Sequence, residues 1–295
     1  MDFSFPVVFF GSHVQISREL MASRNLPIGI FDSGVGGLTV VRQIHRMLPR
    51  EDLVYLGDTA RVPYGSKSPA TVIRFACEDT QFLMQQNVKA VVVACNTVSA
   101  WALPTLERTF QVPIFGVIAP GAARAAAKTR NRRIGVIGTS TTIRSNAYAR
   151  AIVSQCAEAE VFATACPLLV PLVEEGWTKH PVTLSVLREY LQPMLRKKID
   201  TLVLGCTHYP LLKAAIRDVT GGKVALVDSA ESCARFVKDQ LDRLNCLNGS
   251  RRRQGVIQPF VTDETDRFGD WAKRFLGFPA EPPWKVELSS FKGGD

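Results

Sequence analysis

The sequence predicts an α/β fold: two pseudo-symmetric parallel-sheet α/β domains with the active site in the cleft between them. Three observations carry this. Short, unbroken apolar runs alternate with stretches of helical spacing, the mark of strands covered on both faces of a parallel sheet. The run Val91-Val92-Val93-Ala94 enters Cys95-Asn96-Thr97, and Leu202-Val203-Leu204-Gly205 enters Cys206-Thr207-His208 on the same plan. Two further echoes keep the same order at a nearly constant offset: Ile134-Gly135-Val136-Ile137-Gly138-Thr139 repeats Ile28-Gly29-Ile30-Phe31-Asp32-Ser33, and Val161–Thr164 repeats Val54–Gly57. A duplicated α/β unit, with like loops facing each other, accounts for all three.

Residues 1–25 show no helical or strand periodicity that runs on into residues 26–32, and Met21 to Pro27 would make a natural domain start, so an N-terminal extension is expected there. Ile28–Phe31 is a strand that ends at Asp32-Ser33-Gly34-Val35-Gly36-Gly37, after which Leu38, Val41, Ile44 and Leu48 keep helical spacing. These glycines suit a tight turn and a helix N-terminus whose bare N–H groups can hold an anion. The G-x-G-x-x-G spacing fails at Thr39, no Walker lysine follows, and an aspartate at the strand tip repels phosphate. A ligand with both carboxylate and ammonium groups therefore suits the loop better than a nucleotide.

Leu53–Leu56 is the next strand and runs into a polar loop, Gly57–Ser68, that contains Tyr64-Gly65. A helix from about Ala70 follows, with Ile73, Ala76, Cys77, Thr80, Leu83 and Met84 on one face, which makes Cys77 a core residue. Then come the Cys95 strand, a helix with Leu103, Leu106 and Phe110 inward, and the strand Pro113–Ile118. After Pro120 the pattern restarts and leads through the Cys206 strand to a helix with Leu212, Ala215, Ile216 and Val219. Val224–Asp228 opens a partial third segment: a helix Ser232–Leu244, a basic loop Asn245–Gly255, a strand Ile257–Val261, and a helix with Phe268, Ala272, Phe275 and Leu276. Too small to stand alone, this remainder is expected to complete the first half. Domain A is then 26–118 plus 228–295, and domain B is 119–227.

At 295 residues and 46% hydrophobic content, the chain can bury a core in each of two domains. No apolar run approaches the roughly 20 residues of a membrane helix, and the start lacks a basic n-region, so a cytoplasmic protein is expected. The seven cysteines are odd in number, scattered and without a C-x-x-C pair. That pattern argues against a disulfide framework or a zinc ribbon and for reduced thiols. The net charge of +9 gathers at Arg130/Arg132/Arg133, Arg196/Lys197/Lys198 and Arg251–Arg253. Solvated loops and helix ends explain these clusters better than nucleic-acid contact, since no aromatic-basic motif accompanies them.

Ligands of open parallel sheets bind at the carboxyl ends of the strands. Asp32, Ser33, Tyr64, Gly65, Cys95, Asn96 and Thr97 fall there in the first half, and Thr139, Thr142, Cys206, Thr207 and His208 in the second. Thiols with a reference pKa of about 8.5 can exchange protons near neutrality once neighbours tune them. A thiolate that removes a proton from one face of a carbon, opposite a thiol that returns one, inverts a stereocentre. Asp32 beside Cys95 and His208 beside Cys206 are the candidate partners. No cofactor loop or Schiff-base lysine is recognisable, and a zinc site from Cys206, His208 and Cys166 would supply only three ligands. Neither a cofactor nor a metal is therefore expected. Each cysteine taken alone reads as a small buried hydrophobe; the internal pairing is what raises Cys95 and Cys206.

The motifs Phe31-Asp32-Ser33-Gly34-Val35-Gly36-Gly37, Gly57-Asp58-Thr59, Pro63-Tyr64-Gly65, Ala94-Cys95-Asn96-Thr97, Pro171-Leu172-Val173-Glu174 and Gly205-Cys206-Thr207-His208-Tyr209-Pro210 resemble those of the glutamate racemases, in the cofactor-independent aspartate/glutamate racemase superfamily. The resemblance implies that Cys206 deprotonates L-glutamate and Cys95 D-glutamate. It implies that Asp32-Ser33, Tyr64-Gly65, Asn96-Thr97 and Thr207-His208 hold the substrate, with Thr139 and Thr142 adding contacts, and that Asp32, Glu174 and His208 assist the thiols. It further implies a homodimer and a supply of D-glutamate for peptidoglycan. The segment before Leu26 and the loop around Arg251 depart from the compact family pattern. Another acidic amino acid as substrate, or a non-catalytic binding module, are the alternatives.

Overall fold

The protein, seen as a computed structural model, is described over residues 24–249, 254–263 and 266–291. The expected extension up to residue 23 and the Arg251–Arg253 cluster lie outside these residues. The first half runs β1 (Ile28–Asp32), α1 (Leu38–Met47), β2 (Leu53–Gly57), α2 (Pro69–Gln85), β3 (Ala90–Val93), α3 (Asn96–Trp101), α4 (Leu103–Thr109) and β4 (Ile114–Gly116). The chain continues with α5 (Ile118–Lys128), β5 (Arg133–Gly138), α6 (Ser140–Arg144), α7 (Ala147–Gln155), β6 (Glu160–Ala165), α8 (Leu169–Glu174), α9 (Pro181–Arg196), β7 (Thr201–Gly205), α10 (Lys213–Thr220) and β8 (Ala225–Asp228). It closes with α11 (Ser229–Arg243), β9 (Ile257–Val261), α12 (Phe268–Leu276) and β10 (Trp284–Lys285).

Every strand pairing is parallel, in two sheets of order β10-β9-β2-β1-β3-β4 and β6-β5-β7-β8. The run β2-β1-β3-β4 and the run β6-β5-β7-β8 are one topology written twice. This duplication corrects one assignment. Val224–Asp228, read as opening the returning segment, forms β8 and pairs with β7, as the counterpart of β4. The return to the first sheet begins later, where β9 pairs with β2.

The first sheet is covered on both faces, which is why its strands read as continuous apolar runs. Ile28, Ile30, Ala90 and Val92 face a core shared with the second sheet, together with Leu38, Val41 and Ile44 of α1. Phe31, Leu56, Val91 and Val93 face the opposite way, onto Val72, Ala76, Cys77 and Leu83 of α2. At roughly 25 cal/mol per Å² of apolar surface, these two layers supply the main stabilising term. α11 packs on α1 of the first half and on α5 of the second, and so ties the halves together.

Three helices of nine residues or more have no assignment from the sequence. α5 buries Gly121, Ala122 and Ala125, residues too small to give a clear apolar period. α7 buries only Tyr148 and Ile152. α9 starts at Pro181 and buries Thr183, Leu187, Leu191 and Met194 behind the second sheet. No helix among the described residues is long and apolar enough to cross a membrane.

Candidate active site

A cavity of about 400 Å³ opens where the carboxyl ends of the two sheets meet. Ser33, Tyr64, Gly65, Cys95, Asn96 and Thr97 line it from the first half, and Thr139, Glu174, Cys206, Thr207 and His208 from the second. Asp32 and Thr142 are absent from the lining and stand behind it. Val62, Pro63, Ser66, Ser140, Pro167 and Val170 also line the wall. They are small or apolar residues with no chemical signature in the sequence.

Cys95 caps α3 at the end of β3, and its Sγ lies 3.5 Å from Ser33 Oγ. Burial, then the neighbouring Asp32 carboxylate, push its thiol up to about 12. Asp32 is itself buried, and its Oδ2 accepts the Gly37 N–H at 2.9 Å. Desolvation raises its pKa, while the charge of His208 and the backbone hydrogen bonds oppose the rise. The glycine turn therefore differs from expectation. The anion at the start of α1 is the chain's own Asp32 carboxylate, and none of Gly34, Gly36 and Gly37 needs positive φ. These glycines serve close approach: a Cβ on Gly37 would lie 2.4 Å from Asp32 Cβ, and one on Gly36 would lie 2.4 Å from Thr207 Oγ1.

Cys206 follows β7, and His208 Nδ1 stands 3.9 Å from its Sγ. His208 Nε2 meets Glu174 Oε1 at 2.9 Å, at the end of α8. Burial opposes the charged imidazole, but the hydrogen bonds to Cys206 and Glu174 and their charges prevail, and His208 rises to about 10. The Glu174 carbonyl is held from outside by Arg274 of α12 at 2.6 Å, and the Phe275 ring packs edge-on to His208. Cys95 is thus backed by an acid and Cys206 by a cation.

Thr97, Thr139 and Thr142 join their hydroxyls across the cleft, at 2.9 Å, 3.1 Å and 2.9 Å. A Cβ on Gly65 would stand 2.8 Å from Thr139 Cβ, so the Tyr64-Gly65 turn lies directly on the second half. The Tyr64 hydroxyl turns away from the cavity toward Asp58 and Asp79, and Arg61 ion-pairs with both of them and with Glu78. Asn96 accepts a hydrogen bond from Tyr148, a residue that no sequence motif singled out. Among the described residues, no group of three or more His, Cys, Asp or Glu is arranged to hold a metal ion.

Twin parallel sheets with a thiol at matching strand ends, both lining one cavity, define an enzyme of the amino-acid racemase class. A match to the Asp/Glu/hydantoin racemase family spans residues 28–237, and the chain belongs to that family. It is 53% identical to a glutamate racemase of Syntrophus aciditrophicus over 89% of this chain and 97% of that one. The crystal structure of Thermus thermophilus glutamate racemase with β-chloro-D-alanine superposes with a TM-score of 0.82 at 48% identity, covering 91% of this chain and 100% of that one. The Francisella tularensis glutamate racemase with D-glutamate gives a TM-score of 0.84 at 37% identity, with coverage of 91% and 100%.

Proposed function

We propose that this chain interconverts L- and D-glutamate by a two-thiol acid/base mechanism. The observation that carries the proposal is the pair of cysteines, Cys95 and Cys206, at equivalent strand ends lining one cavity. The names of the similar proteins supply the substrate. In the L-to-D direction Cys206 takes the α-proton, and Cys95 delivers its own proton to the opposite face. The D-to-L direction exchanges these roles. His208, held cationic by Cys206 and Glu174, offsets the negative charge on the Cys206 side, while Cys95, pushed up to about 12, holds its proton until the carbanion forms.

The α-proton is far less acidic than a thiol, so the barrier must fall by other means. Exclusion of water, donors to the α-carboxylate and close placement of the sulfurs supply them. Ser33, Asn96, Thr97 and Thr207 present the polar groups for that purpose along the cavity wall. Asp32 and Thr142 act from behind, on Cys95 and on Thr97 and Thr139. The product D-glutamate fits a role in peptidoglycan synthesis, and a homodimer is the expected assembly, to be read by sedimentation.

Incubation with each enantiomer in heavy water tests the reaction. Deuterium should enter the α-carbon of both L- and D-glutamate without added cofactor, whereas a mere binding module would leave it protiated. L-aspartate under the same conditions separates the rival substrate. Cys95→Ala and Cys206→Ala should each abolish racemisation while leaving thermal unfolding cooperative, and full activity in either variant would sink the two-thiol model.

A further inference from the structure

Tyr148 stands on α7 in the second half, and its hydroxyl donates 2.7 Å to Oδ1 of Asn96 on α3 of the first half. The tyrosine is buried, and its ring occupies a socket left by two glycines. A Cβ on Gly205 would lie 3.0 Å from Tyr148 Cε2, and one on Gly121 would lie 3.3 Å from Tyr148 Cε1. Burial raises the phenol above its ordinary value against an opposing hydrogen bond with Ser229, so the hydroxyl keeps the proton that it donates to Asn96.

An asparagine amide ends in one acceptor oxygen and one NH₂ donor, and a turn of half a circle exchanges them. With Oδ1 of Asn96 taken by Tyr148, the other end of the amide is determined. Nδ2 is buried and has no protein partner, although Asn96 lines the cavity. A buried donor without an acceptor is costly unless a ligand supplies one. The ligand group that fits an unmatched NH₂ is an anionic oxygen.

We propose that Tyr148 is a positioning residue that locks the Asn96 amide with its NH₂ toward the cavity, where it donates to a carboxylate of the substrate. The inference rests on the racemase reading for the identity of that substrate. Without the tyrosine hydroxyl the amide can reverse and face the carboxylate with its oxygen, turning a donor contact into a repulsion.

Tyr148→Phe removes the hydroxyl and keeps the ring in its socket. The expected result is a KM for both glutamate enantiomers raised about tenfold, the equivalent of about 1.4 kcal/mol, with kcat changed less and unfolding close to wild type. A second readout needs no racemisation: the rate of active-site thiol alkylation by iodoacetate relative to iodoacetamide. These reagents differ only in presenting a carboxylate or a carboxamide. The variant should lose rate with the carboxylate reagent selectively. An unchanged KM, or rates with the two reagents that fall in parallel, would overturn the proposal. If the wild-type protein fails to racemise glutamate, the proposed reaction falls, and the alkylation ratio still decides the role of Tyr148.

Discussion

Replacing Gly36 by alanine should disable the site while the fold survives. A Cβ there would lie 2.4 Å from Thr207 Oγ1 and 2.5 Å from both Cε1 and Nδ1 of His208, whereas ordinary contact begins at 3.4 Å. Something must therefore move by about 1 Å in a close-packed region. The turn after β1 is poorly placed to retreat. Thr39 Oγ1 bonds both the Gly36 carbonyl and the Thr207 carbonyl at 2.9 Å, and Gly37 N–H is tied to Asp32. The motion falls instead on Thr207 and His208, drawing the imidazole off Cys206 and Glu174. Overpacking of this kind costs about 1–3 kcal/mol, enough to lower Tm by several degrees without unfolding the protein. A misplacement of about 1 Å beside the reacting groups costs roughly 100-fold in rate. Racemisation of glutamate followed by circular dichroism should thus show kcat/KM down by roughly 100-fold in a variant that still melts cooperatively. Gly222→Ala is the control. Its φ is +68°, and an added Cβ meets nothing within 4 Å, so it strains the backbone without touching the site. That strain costs about 1–2 kcal/mol in stability and should leave kcat unchanged. Wild-type kcat/KM in Gly36→Ala, or an equal loss in Gly222→Ala, would refute the reasoning.

Three further outcomes are expected from the charges around the cavity. His208 is held at about 10 against an ordinary value of 6.5, so its contribution to stability is complete below pH 6.5 and is lost as pH rises through 10. Tm should fall across that window, and less steeply in His208→Asn. Asp32→Asn removes one cause of the raised Cys95 thiol but leaves burial, the larger one. The pH midpoint for alkylating Cys95, measured in a Cys206→Ala background, should therefore move down without reaching the value of a free thiol. Arg61→Met leaves Asp58, Asp79 and Glu78 without their cation beneath the Tyr64 turn. Loss of one partner from such a buried set costs about 3–5 kcal/mol. Urea unfolding should show that loss at neutral pH and a smaller one at acidic pH, where the carboxylates take up protons.

The fold was legible because the central strands are covered on both faces and so write themselves as apolar runs, and because duplication wrote the plan twice; the exposed edge strand β10 leaves no such run. β8 is the ambiguous case for the same reason: a short edge strand carries the same signal whichever sheet it joins, and only pairing with β7 decides. The candidate residues at strand ends were legible because topology alone delivers Cys95 and Cys206 to one cleft. What the sequence could not show are contacts between distant residues. Tyr148 reaching Asn96, Thr97 meeting Thr139 and Thr142, and Gly36 lying under Thr207 each join segments far apart in the chain. The sequence reads Gly36 and Gly37 as turn residues, yet their lack of a Cβ matters for the clearance of a neighbour across the cleft or behind Cys95.

Duplication makes the frame symmetric, and the chemistry depends on where the symmetry fails. Asp32 and Ser33 at the end of β1 are matched at the end of β5 by Gly138 and Thr139, so the carboxyl behind Cys95 has no copy. Thr97 is matched by His208, so the cation beside Cys206 has none either. In the two-thiol reading, the raised Cys95 thiol keeps its proton in the free site, the form that receives L-glutamate. D-glutamate needs the reverse form, which is populated less, and its apparent affinity is reduced by that fraction. Yet the enantiomers have equal free energies in water, so the ratio of kcat/KM in the two directions must equal one. The charges of Asp32 and His208 therefore cannot make the enzyme faster toward one product in kcat/KM. They can only divide the same value differently between kcat and KM. Exchanging a neighbour of either thiol should move kcat and KM for the two enantiomers apart or together, while their kcat/KM values stay equal at every pH.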